Sequence, residues 1–167
     1  MKYPIAILNI LLAFNLSAQV NISGAWVGTI TQEEGGVAPA FDFELFFVQK
    51  GKKLTGRSYV YFDGKYAVMD IVGTFLDDQT LIFNETKMID FHELENMSWC
   101  IKGGRLKVLS GTQTWRLEGN WQGYTDFGPC VPGRIFLQKE VPRAWFPQFP
   151  SLRGCVFLNL PLNIEPS

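Results

Sequence analysis

The chain has 167 residues, 15 basic against 16 acidic side chains and a formal charge of −1. That balance leaves no electrostatic footprint for nucleic acid or for an acidic membrane surface. Apolar residues make up 47%, aromatics 14% and charged residues only 19%, which excludes a disordered chain and suits a β-rich core.

Residues 1–18 come first. Lys2 gives a short basic start, Ile5 to Phe14 form an apolar run broken only by Asn9, and Leu16-Ser17-Ala18 puts a small residue at a cleavage position. The run is too short to span a hydrocarbon core of roughly 30 Å as a helix, so it reads as a cleaved export signal. No cysteine follows the expected cut, so no lipid anchor is indicated there. The expected location is secreted or periplasmic, with no transmembrane segment. What remains is about 150 residues, enough for one domain with a real core.

From residue 24 onward, short runs rich in Val, Ile, Phe, Tyr and Thr alternate with Gly, Asp, Asn and Pro, the punctuation of strands and turns. The sequence predicts strands at 24–32, 41–50, 53–62, 65–76, 79–88, 97–109 with an interruption at Gly103-Gly104, 113–122 and 133–140. Lys50-Gly51-Lys52 and Phe62-Asp63-Gly64-Lys65 read as tight hairpin turns. Phe41, Phe43, Leu45 and Phe47 fall on one face of their strand, and Asp42 and Glu44 on the other. Helical periodicity is confined to one turn's worth of residues, Met88 to Leu94.

A glycine recurs after an apolar residue and a spacer: Ile22-Ser23-Gly24, Leu54-Thr55-Gly56, Ile71-Val72-Gly73 and Leu117-Glu118-Gly119. Glycine weakens a strand, so its recurrence marks bends or close backbone approaches where a sheet coils. The expected fold is all-β, an antiparallel up-and-down barrel of about eight strands over residues 19–140; a two-sheet sandwich is the alternative. Gly24-Ala25-Trp26, Leu54-Thr55-Gly56 and Leu117-Glu118-Gly119-Asn120-Trp121 resemble the Gly-x-Trp start and strand-Gly spacing of the calycin barrels, lipocalin-like and avidin-like, over residues 22–140. The resemblance implies a small secreted binding barrel. The chain departs from the avidin pattern in having no polar run to match a biotin site, and from lipocalins in lacking the long helix after the last strand.

Cys100 and Cys130 would close a loop of 30 residues in an oxidising compartment, leaving Cys155 unpaired or bridging two chains. No two cysteines are close in sequence, so neither a zinc site nor any other metal or cofactor is expected. His92, the single histidine, sits in a connection between strands. A nucleophile–His arrangement could use only that residue, which reads instead as a solvated loop side chain, and no Gly-rich phosphate loop opens a helix. The chain is therefore not read as an enzyme. The remaining catalytic reading pairs the carboxylates Asp70 and Glu85 across neighbouring strands, as a hydrolase.

Binding is the better expectation. Trp26, Tyr59, Tyr61, Trp99, Trp115 and Trp121 line or plug a barrel when their strand faces point inward, and Trp and Tyr join a large apolar face to a polar tip. Ordinary core packing is the plainer account of each. Arg57 shares a strand face with Tyr59 and Tyr61, a face that could equally be the outer surface, and Arg116 shares one with Glu118. Together with Glu85 these give the candidate ligand-binding set Arg57, Tyr59, Tyr61, Glu85, Trp99, Trp115 and Trp121. The expected function is a module holding a small apolar or amphipathic ligand in the barrel interior. The alternative is a plugged barrel acting as a structural or interaction domain of the cell envelope.

Residues 141–167 differ from the rest. Pro142, Pro147, Pro150, Pro161 and Pro166 alternate with Trp145, Phe146 and Phe149, which reads as an irregular tail, an extended strap for the barrel or for an envelope partner. Asn21-Ile22-Ser23, Asn84-Glu85-Thr86 and Asn96-Met97-Ser98 fit the glycosylation acceptor pattern, relevant only in a host that glycosylates.

Overall fold

The computed structural model describes residues 20–111 and 114–139. The expected signal segment 1–18, the tail 141–167 and Cys155 lie outside the described residues. The strands are β1 (Gly24–Thr31), β2 (Ala40–Lys50), β3 (Lys53–Phe62), β4 (Lys65–Phe75), β5 (Thr80–Phe91), β6 (Ile101–Ser110), β7 (Trp115–Thr125), the two-residue β8 (Gly128–Pro129) and β9 (Gly133–Lys139). Among the described residues there is no helix, and none long and apolar enough to cross a membrane.

Each of β1 to β7 pairs antiparallel with the next. The ring closes because β9 lies between β7 and β1, with Ile135 opposite both Gly119 and Ile30. Eight long strands thus form a closed barrel with consecutive neighbours, not a sandwich, and the first and last strands meet. The architecture is compatible with a calycin-like fold. Asp63 and Gly64 take the left-handed backbone, with φ 49° and 69°, that a two-residue hairpin of this twist demands. At Gly119 a Cβ would collide with the Arg105 carbonyl oxygen of β6, so the barrel's coiling brings backbones closer there than any side chain allows.

Three expectations need correction. The segment Met88 to Leu94 holds no helical turn; β5 instead runs on to Phe91, and its register slips between Val68 and Met69 and between Asp70 and Ile71 of β4, so bulges carry the extra length. The strand expected from 97 begins at Ile101, leaving 92–100 as a loop. Gly103 and Gly104 do not interrupt β6: they pair with Asn84 and Phe83 on one side and with Gln122 and Trp121 on the other. Their smallness serves packing, since a Cβ on Gly104 would come within 2.8 Å of the Phe83 ring.

Alternation fills the interior. Trp26, Phe43, Leu45, Phe47 and Phe83 are fully buried and inward-facing, each worth about 1.5–3 kcal/mol or more in removed apolar surface. The Trp26 indole N–H is satisfied by donating to the Ile22 carbonyl at 2.8 Å.

Cys100 and Cys130 form the expected disulfide, tying the start of β6 to the segment between β8 and β9. It is compatible with an extracellular or periplasmic location. Closing 30 residues restricts the unfolded chain by about 3–4 kcal/mol. The Cys100→Ala/Cys130→Ala variant is therefore expected to lose about that much unfolding free energy in urea titrations; a loss below about 1 kcal/mol would contradict the loop-closure account.

Candidate functional site

The barrel has two unlike ends. Short connections at 51–52 and 76–79 cap one. The other carries the loops 32–39 and 92–100 and the segment 126–132, which holds β8, beside the tight turn at 63–64. The 92–100 loop is anchored at both ends: the Trp99 indole N–H donates to the His92 carbonyl at 2.8 Å, and the His92 amide donates to the Tyr66 carbonyl at 2.9 Å. The His92 and Tyr66 rings lie 4.3 Å apart. The Tyr66 hydroxyl donates to Asp90 at 2.8 Å, a bond that raises the phenol's pKa. Beyond Trp99 the disulfide fixes the exit.

Two concavities flank this loop. The mouth cavity, about 70 Å³, is lined by Phe41, Val60 and Phe62 from strand ends, Val37 from the 32–39 loop, Met97 and Trp99 from the 92–100 loop, and Trp121. The second is a cleft of about 480 Å³ on the loop's other side, lined by Met88, Phe91, Ile101 and Tyr124 among others. Leu94, Met97, Ser98 and Trp99 border both. Val37, Phe91, Met97, Tyr124 and Phe127 are exposed at this end.

Lys102 also lines the mouth cavity, yet its side chain is only 4% exposed. Its Nζ lies 3.1 Å from Glu85 Oε2, donates to the Cys100 carbonyl at 3.0 Å, sits 3.9 Å from the Met69 sulfur and 5.8 Å from the centre of the Phe43 ring. Glu85 is fully engaged: the Ser58 hydroxyl donates to Oε1 at 2.6 Å and the Lys102 amide to Oε2 at 2.7 Å. Burying such a pair is no better for stability than packing apolar side chains of equal volume. The contacts tie three strands together inside the barrel, Ser58 of β3 and Lys102 of β6 meeting on Glu85 of β5.

The structure separates the candidate residues. Trp99 and Trp121 meet at the mouth, with Trp121 donating to the Thr31 carbonyl at 2.7 Å, and Glu85 lies inside beside Lys102. Arg57 faces outward, 3.4 Å from Asp70, and Tyr59 and Tyr61 share that face, since Ser58 and Val60 between them point inward. Trp115 stands at the far end, its ring 5.8 Å from Lys139 Nζ, which is 5.5 Å from the Trp26 ring; burial pushes the Lys139 ammonium below its ordinary pKa. Arg116 and Glu118 pair at 3.4 Å. Asp70 pairs with Lys87 in register while Glu85 stands opposite Ile71, so Asp70 is outside the wall and Glu85 inside. The two carboxylates thus lie on opposite faces of the sheet.

Lys102, Phe41, Phe62 and Met97 belong to the mouth and were not among the sequence candidates. The Phe41 and Phe62 rings lie 5.1 Å apart between centres, tilted by 55°, and both carried a signal: Phe41 opens the alternating run to Phe47, and Phe62 precedes the Asp63-Gly64 turn. Nothing in the sequence pairs Lys102 with a glutamate 17 residues earlier. No protein-family model, curated protein or solved structure matches this chain.

Proposed function

We propose that the protein is a binding module of an oxidising compartment, secreted or periplasmic, that takes a small apolar or amphipathic ligand at the loop end of its barrel. The observation that carries this reading is the pairing of the mouth cavity and the cleft around the anchored Trp99. Small-ligand sites usually occupy about 300–1,000 Å³. The mouth alone, at about 70 Å³, admits a terminal group, and the cleft at about 480 Å³ accommodates the body of a ligand. The barrel interior itself is occupied by Trp26, Phe43, Phe47 and Phe83, so the container is the rim and not the core.

Titration of the protein with a panel of short-chain fatty acids, alcohols and amines, followed by tryptophan fluorescence and native mass spectrometry, is expected to give saturable binding. Trp99→Ala should weaken it about tenfold, the loss of one aromatic contact face together with the loop anchor. Absence of any binding tighter than about 1 mM would overturn the proposal.

A second reading, the plugged barrel as an interaction domain of the cell envelope, draws on Tyr124 and Phe127, which are 61% and 88% exposed at the same end. Large exposed aromatics of this kind suit a protein surface. Pull-down with Phe127→Ser discriminates: loss of a partner with small-ligand binding intact favours this second reading.

A further inference from the structure

We infer that the cleft beside the 92–100 loop takes an organic cation, a substituted ammonium group carrying an apolar portion. This rests on the loop-end binding proposed above and names the ligand class for it. Three aromatic side chains line the cleft, Phe91, Trp99 and Tyr124, together with two carboxylates, Glu93 and Asp126. Among the described residues, no Lys, Arg or His lines it. Both formal charges that the described residues bring to the space are therefore negative, and their remaining polar lining is neutral.

The chemistry follows from these groups. An aromatic face attracts a cation through its quadrupole, most strongly when the cation is poorly hydrated, as a substituted ammonium is. The carboxylates are exposed, so each adds only a screened attraction, but they penalise an anion of the same shape. A simple inorganic cation gains little here, because two exposed carboxylates without further oxygen ligands do not replace a hydration shell. The apolar portion has its own destination: the mouth cavity adjoins the cleft along Leu94, Met97 and Trp99. There Lys102 is already neutralised by Glu85 at 3.1 Å and so presents no unpaired charge to repel the ligand.

The test is a matched trio added to the full chain: 3-phenylpropyltrimethylammonium, 3-phenylpropanol and 3-phenylpropanoate, each below any aggregation concentration. Binding is read from amide and indole chemical shifts in two-dimensional NMR. The cation is expected to bind about tenfold tighter than the alcohol, with shifts at Trp99 and Tyr124, and the carboxylate weakest. Added salt should weaken the cation and leave the alcohol unchanged. Glu93→Gln/Asp126→Asn, at two exposed positions, should narrow the cation's advantage over the alcohol by about two- to threefold and remove its salt dependence while the spectrum stays that of the folded barrel. Equal affinities for cation and alcohol, or no change in the double variant, would overturn the cation assignment and leave loop-end binding standing. Preference for the carboxylate would do the same. No shift with any of the three would overturn both.

Discussion

Glu85→Ala is expected to lower the unfolding free energy by about 3–5 kcal/mol, the cost of stranding one charge of a buried pair. In the variant the Lys102 ammonium stays among Met69, Phe43 and Cys100 without its counter-ion, and the Ser58 hydroxyl and the Lys102 amide both lose their acceptor. The double variant Glu85→Leu/Lys102→Met should recover most of the loss, because apolar side chains of similar volume replace the pair without an uncompensated charge. Urea titrations followed by tryptophan fluorescence measure both. A loss below about 1 kcal/mol in Glu85→Ala would show that Lys102 escapes through the mouth to water, as long cationic side chains can when a path is open.

Phe83→Ala should cost about 3–5 kcal/mol, the range for deleting a fully buried aromatic. Phe83 is 0% exposed, and its ring covers the side-chain-free backbone of Gly104. No neighbouring side chain on β6 at that position can move into the space, so collapse is limited and the cavity persists. The new space is apolar and should stay dry. Xenon or benzene added to the variant should restore part of the stability, and neither should affect the parent protein; restoration in both would place the bound gas elsewhere.

The sequence revealed the barrel more fully than its site, for a physical reason. Strand identity depends on local alternation, and Phe41, Phe43, Leu45 and Phe47 state it directly. Turns depend on single residues, and Asp63-Gly64 names its own geometry. Which face points inward is harder when both faces carry large side chains: on β3, Leu54 and Val60 compete with Tyr59 and Tyr61, and only the register with β2 and β4 decides that the tyrosines face out. The segment Met97 to Ile101, with its Met, Trp and Ile, reads as strand, yet its first residues border the cavities as loop, held there by a disulfide and an indole hydrogen bond and not by a ladder. Glu85 stood out as a carboxylate in a strand, but its meaning came from Ser58 and Lys102, partners that the barrel's closure supplies and that no local pattern encodes.

The position of β9 between β7 and β1 bears on how the barrel closes. As the chain folds, β1 to β7 can pair in order through local hairpins, but the ring stays broken until residues 133–139 join it. Pairings such as Ile30 with Ile135 join distant parts of the chain, the kind of contact that slows folding. Until then the chain is a curled ribbon with two adhesive margins, and a product cut short before the last strand would be prone to stick to its own kind.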